Sequence, residues 1–250
     1  MKNILSILRE KWAEYVIEII VIILGILGAF ALTNWNEERL EKLEEIKVLK
    51  SVKADLEGTI KEFEFLNTVR LKVLKGTQEI FNVTNNNLVA YPEHTLDSLI
   101  ALTFYSPSFN SQQGSIGLLF SSGKINLISN NLIQKELLAW PGAIEDMIEE
   151  EGYANKLLQG PYYKILAEYL AIQNVMGSLV TASLISKSVP KQGMKNNSLK
   201  SNYSDLFANR AFFNHLSLRA THMQTSIIES ESLIEQAKQL IDVINKELGL

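Results

Sequence analysis

The sequence predicts an all-α protein: a single N-terminal transmembrane helix continuing into an elongated antiparallel helical bundle. Three observations carry this prediction. Tyr15–Leu32 is apolar apart from one ionisable group, Glu18. From Leu40 to Val73 the apolar residues recur in steps of three and four, the period of a helix with one buried stripe. No run sustains the period-two alternation of a half-buried strand, and only Leu88-Val89-Ala90 hints at one.

The apolar run is read as a membrane anchor. At ~1.5 Å per residue a helix of its length covers the ~30 Å hydrocarbon core of a bilayer. Trp12 and Tyr15 before it and Trp35 after it suit the two headgroup layers. Ala29-Phe30-Ala31 has the small-x-small form of a signal-peptide cleavage site, but the run is longer than the ~7–15 residues of a signal core. Retention is therefore expected. Residues 1–14 are expected to form a cytoplasmic tail, 15–35 the spanning helix and 36–250 a helical-bundle domain outside the cytoplasm. Basic residues alone do not set this orientation, since Lys2, Arg9 and Lys11 face Arg39, Lys42, Lys47, Lys50 and Lys53 across the run. A short basic tail resists crossing, whereas a large domain translocates largely regardless of charge.

Glu18 lies just inside the apolar boundary, where snorkelling or pairing with a neighbouring basic residue outweighs a relay role. Gly25 and Ala29, with Gly28 adjacent, make a small-xxx-small pattern that permits close helix packing.

No turn signal separates the anchor from the following segment. One helix is expected to leave the membrane and run on through Leu40, Leu43, Ile46, Leu49, Val52, Leu56, Ile60, Phe63, Leu66, Val69 and Val73. Gly58 and Gly76 weaken it, and Asn85-Asn86-Asn87 with Pro92 ends it. Leu49, Leu56, Phe63 and Leu66 suit an intermolecular assembly seam as readily as an intrachain core. A short helix follows from His94, stopped at Ser106-Pro107. Ser121-Ser122-Gly123 and Ser129-Asn130-Asn131 read as turn or cap signals. Asn130 opens a helix that is interrupted at Pro141, and a further helix runs to Gly160-Pro161. Tyr162–Met176 continues in a similar direction. The Ser-, Lys-, Asn- and Gly-rich stretch of about 177–204 reads as a long mobile loop. Asp205 then caps a second long helix through Leu206, Phe212, Phe213, Leu216, Ile227, Ile228, Leu233, Ile234, Ile241 and Ile244. Pairing of the first and last helices would return the C-terminus toward the bilayer.

Composition narrows the chemistry. Lys+Arg total 24 against Asp+Glu 28, a net charge of -4, so nothing favours a nucleic-acid partner. Cysteine is absent, which excludes disulfides and thiolate chemistry. His215 and His222 lack the i,i+4 spacing and the carboxylate of a helical zinc pair; with His94 they read as solvated or packed. Glu145, Asp146, Glu149, Glu150 and Glu151 read as a solvated helix face, without the ligand order of a calcium loop. Ser121-Ser122-Gly123-Lys124 lacks the upstream glycine of a phosphate-binding loop. Tyr162, Tyr163, Tyr169 and Trp140 are core candidates before they are pocket candidates. No catalytic residue, metal ligand or cofactor site is expected.

The segment Glu18–Leu56, which closes its apolar run on Asn34-Trp35-Asn36-Glu37-Glu38 and then Arg39, resembles a family of uncharacterised single-pass membrane proteins common in Bacteroidota. Ser121–Trp140 is similar to that family's internal Gly-x-Leu-x-x-Ile-x-Asn region. Gly28-Ala29-Phe30 departs from it, where relatives carry larger aliphatics. The resemblance implies an inner-membrane location with a periplasmic helical domain, and no assigned activity.

The expected function is thus a non-enzymatic, membrane-anchored scaffold or interaction protein whose partners are the lipid bilayer and either further copies of itself or another envelope protein. The alternative is an accessory subunit of an ion-conducting or ion-driven complex that uses Glu18.

Overall fold

The computed structural model describes residues 4–83, 87–110, 114–181 and 199–250. All regular structure among them is helical, and no strand is present in the described residues. Helix α1 (Ile4–Asn82) runs unbroken for 79 residues, about 118 Å at 1.5 Å per residue. Leu88–Ala90, which hinted at a strand, is a single 3-10 turn. Helix α2 (Glu93–Leu102) and helix α3 (Gly114–Ser121) follow. The second of these is a helix that the sequence reading did not assign. Eight residues are too few to display a periodicity that separates helix from turn.

Asn130 caps helix α4 (Asn131–Leu157) as expected, its side-chain oxygen accepting from the backbone N–H groups of Leu132 and Ile133. Pro141 does not interrupt α4. It faces solvent, while Leu137, Trp140 and Ile144 around it are buried in the core. Packing on both sides thus holds the helix across the missing N–H bond. The break comes later, in a π-helical turn at Leu158–Tyr162 where Gly160 leaves helical geometry at φ -95°, ψ -105°. Helix α5 (Tyr163–Tyr169) ends in extended backbone at Leu170, so the stretch to Met176 is two helices, the second being α6 (Ile172–Thr181).

The expected loop of 177–204 is helical at both margins, in α6 and in helix α7 (Tyr203–Ala208); its remainder from 182 to 198 lies outside the described residues. Asp205 is not the cap of the last helix. Asn202 caps α7 by accepting from the Asp205 N–H, and Asn209 caps helix α8 (Arg210–Leu248) by accepting from Ala211 and Phe212. Gly249 closes α8 at φ 71°, the left-handed conformation that favours glycine.

Helices α1 and α8 pair antiparallel, as expected. Lys53 Nζ donates to Asn245 Oδ1 at 2.7 Å near one end, and the Phe81 and Phe213 rings lie 6.1 Å apart near the other. Helix α4 runs parallel to α1, with Asn130 Nδ2 donating to Glu247 Oε2 at 3.1 Å. Two apolar clusters fill the body. The first joins Leu49–Leu66 of α1 to α3, α4 and the C-terminal half of α8. The second joins Ile80 and Val83 to α2, α5, α7 and the start of α8. At Gly76, where a Cβ would lie 2.8 Å from Leu102 Cδ1, α1 and α2 make a close approach that a side chain would crowd.

The sequence stripe starts too early. Leu40 and Leu43 are more than half exposed, because the packed body begins at Glu45. Conversely, Leu49, Leu56, Phe63 and Leu66 are buried within one chain, which corrects their reading as an assembly seam: their surface is spent on α3, α4 and α8. Phe63 stacks on Phe109 with centroids 4.4 Å apart. Phe63→Ala is expected to cost about 3–5 kcal/mol, read as a lower denaturant midpoint of the detergent-solubilised chain, whereas Leu43→Ser leaves that midpoint unchanged.

Candidate functional site

Residues 12–41 of α1 are exposed along their whole length. Within them lies one helix segment long and apolar enough to cross a membrane, none of it buried by the rest of the chain. Trp12 and Trp35 stand at its margins, each 63% exposed, and about 35 Å apart along the helix at 1.5 Å per residue. Tyr15 and Glu18 are exposed on the same stretch. A Cβ at Gly25 or Gly28 would meet nothing within 4 Å, so these positions and Ala29 leave an open helix face. Thr33 Oγ1 donates to the Ala29 carbonyl at 3.0 Å, which hides its hydroxyl from apolar surroundings. The structure therefore brings Trp12, Tyr15, Glu18, Gly25, Gly28, Ala29 and Trp35 together on one bare rod.

The body begins where carboxylates of α1 take hold of the chain between α2 and α4. Glu45 Oε1 accepts from both the backbone N–H and the hydroxyl of Ser129, each at 2.7 Å, while Lys42 Nζ donates to its other oxygen at 2.8 Å. Burial works against the charge on Glu45, but these donors hold its carboxyl below the usual range. Asp55 Oδ2 accepts from the N–H groups of Ser115 and Ile116 at 2.7 and 3.1 Å, capping α3 from another helix. Glu62 Oε1 accepts from the Asn110 N–H at 3.0 Å.

Between the two apolar clusters sits a buried polar layer. Arg70 pairs with Glu151, and its Nη1 donates to Asn67 Oδ1 at 2.8 Å, Ser230 Oγ at 3.2 Å and the Ser226 carbonyl at 3.3 Å. Glu151 Oε2 accepts from the Phe109 N–H at 2.8 Å. Burial pushes the Glu151 carboxyl up, opposed by Phe109 and by the Arg70 charge. Glu151 thus leaves the solvated acidic face to which the sequence assigned it. Glu145, Asp146 and Glu149 stay exposed. Glu150 meets His222 Nδ1 at 2.5 Å, a carboxylate partner that the sequence reading did not find.

Arg219, 1% exposed, donates from Nη2 to the Tyr105 carbonyl just beyond α2 and lies 6.0 Å from the centroid of the Tyr162 ring. Burial pushes the Tyr162 phenol up to about 12, although Thr103 shares a hydrogen bond with it at 2.8 Å. Tyr162 and Trp140 are core residues, Tyr163 stacks on Phe104, and the Tyr169 hydroxyl accepts from Asn209 Nδ2. Among the described residues, no three His, Asp or Glu side chains gather as they would around a metal ion.

A groove opens on the body surface. It lies between α1 and α3, holds about 290 Å³, and is floored by Val48, Leu118 and Leu119. Glu44 Oε1 accepts from Lys124 Nζ at 2.5 Å across its rim. Sequence reasoning passed over this groove because α3 had not been recognised.

No family model matches the chain, and no curated protein or solved structure is significantly similar to it.

The polar layer predicts a coupling. Arg70→Met or Glu151→Gln alone leaves a buried charge without its partner and is expected to cost about 3–5 kcal/mol; the double variant recovers most of that. Unfolding midpoints of the four proteins check it. A second prediction concerns Asp97, which accepts from the Tyr203 hydroxyl at 2.6 Å. Burial pushes its carboxyl above the ordinary value, against the pull of that hydrogen bond. The folded state holds this proton more tightly than the unfolded chain, so stability falls as pH rises from the ordinary carboxylate value through the raised one. Asp97→Asn keeps the acceptor oxygen without the ionisation. It should raise the midpoint at pH 7, with the gain gone below about pH 3.5.

Proposed function

We propose that this chain is a non-enzymatic scaffold or interaction protein, held in a bacterial inner membrane by residues 15–35 and presenting its helical body in the periplasm. The observation that carries the reading is the continuity of α1 from the bare apolar segment into the packed body. A helix without a break fixes the height and orientation of what it carries. The side chains around Arg70 and Glu151 form packing and pinning contacts. Membership of the Bacteroidota family resembled by the Asn34–Glu38 junction belongs to the same proposal.

Assembly would use the open face of α1 at Gly25, Ala29, Leu40 and Leu43, since the deeper stripe is occupied by the chain's own core. The partner is then another copy or another envelope protein that meets this face.

The native chain has no cysteine, so a single introduced thiol reports topology. Lys61→Cys is expected to react with a membrane-impermeant maleimide in intact spheroplasts, and the chain to stay in the pellet after alkaline carbonate extraction. Protection of that thiol until the cells are lysed would overturn the orientation. Release by carbonate would overturn the anchor. The mass of the detergent-solubilised protein, against a version lacking residues 1–36, tests assembly: a monomer in both refutes self-association. Glu18→Gln should leave location and mass unchanged.

A further inference from the structure

We infer that the groove between α1 and α3 binds a single-chain anionic amphiphile of the fatty-acid type. Its wall chemistry selects hydrocarbon. Val48, Leu118 and Leu119 supply apolar surface, and Leu118 is 68% exposed with no protein covering it. The groove's hydroxyls are already engaged: Ser51 Oγ donates to the Lys47 carbonyl, Ser115 Oγ to Asp55 and Ser122 Oγ to the Leu118 carbonyl. A sugar or nucleotide would find those donors taken.

The rim selects the head. Lys47 and Lys124 flank Glu44, whose carboxyl Lys124 and Lys47 both hold below its usual range. Among the side chains lining the groove, two ammonium groups against one carboxylate leave a single positive charge, the complement of one carboxylate head, while the Asp55 carboxylate behind Ser115 is held by the N–H groups it caps.

The groove is also continuous with the apolar segment. A shallow concavity at Trp35, Arg39 and Leu43 adjoins one at Leu43, Ile46 and Lys50, which in turn shares Lys47 and Ser51 with the groove. Val48 lies about 20 Å beyond Trp35 along the helix. That is farther than a headgroup layer of roughly 5–8 Å extends. The occupant has therefore left the bilayer, which suits a single-chain amphiphile better than a two-chain lipid. This source of ligand rests on the membrane-anchored reading; the shape and charge of the groove do not.

The experiment uses the full-length chain in nanodiscs of phosphatidylglycerol and phosphatidylethanolamine, with a diazirine-bearing palmitic acid as probe. After irradiation, peptide mass spectrometry should place saturable adducts on residues 48–51 and 115–122, competed by unlabelled palmitate. Ser51→Trp or Ser122→Trp, each substituting an exposed side chain, should abolish them without moving the unfolding midpoint. Lys47→Gln should weaken labelling about tenfold, the effect of losing one favourable charge contact of ~1.4 kcal/mol. The matching diazirine-bearing hexadecanol should label the wild type as weakly as the acid labels Lys47→Gln.

Adducts confined to the apolar segment, or unchanged in both tryptophan variants, would overturn the inference. Equal labelling by acid and alcohol would overturn the anionic head. Carbonate extraction of the same chain separates the two readings: a released chain that still labels at the groove refutes the anchor alone, and a retained chain without groove adducts refutes the groove alone.

Discussion

The backbone of α1 satisfies its own hydrogen bonds along its whole interior from Ile4 to Asn82. The same element can therefore lie bare along Tyr15–Leu32 and against packed protein from Glu45 onward without changing conformation. An apolar environment tolerates a helix because no N–H or C=O of its interior is left unpaired. A packed core tolerates the same helix because its apolar stripe has neighbours. Helices α2, α3 and α8 pack directly on that rod, and the remaining helices pack on these. Helix α8 lies along it in reverse, α4 runs beside α8, and the connecting chain is fastened to the rod's polar edge.

That fastening combines carboxylates with the buried side chains of Phe109, Ile116, Leu119 and Ile128. Glu45, Asp55 and Glu62 are spaced along α1 and each receives backbone N–H groups from the chain between α2 and α4. A loop or short helix leaves such donors unsatisfied, and a carboxylate is the strongest acceptor for them. Asp55 is what gives the eight-residue α3 a defined start, and α3 is what gives the groove its second wall. The geometry of the candidate binding surface thus traces to one acidic residue on the opposite helix.

Much of this was legible in the sequence, and the failures have physical reasons. The steps of three and four from Leu49 to Val73 located the buried stripe of α1, and Asn130 located the start of α4. The stripe misplaced Leu40 and Leu43, because periodicity records amphipathicity and not where a partner begins. Pro141 was read as a break by a local rule, which the packing of Leu137, Trp140 and Ile144 overrides. Arg70, Glu151 and Arg219 gave no signal as buried groups: a charged residue in a helical segment looks solvated until its partner on another helix is known. Asp205 is a plausible cap by residue type, but Asn202 and Asn209, which bracket it, hold the two cap positions. Three side chains of this type within one short stretch left the choice undetermined by sequence.

The layer around Arg70 and Glu151 divides the apolar interior into a half nearer the bare rod and a half remote from it. A charged seam of this kind contributes little adhesion of its own, so cooperativity between the halves is carried by the two long helices that pass through both. The remote half holds the short helices α2, α5, α6 and α7 and is the part that can open by itself. Amide protons there would exchange with solvent ahead of those near Val52 and Leu56, and a protease meeting the intact protein would nick that end while the portion beside the rod kept its shape.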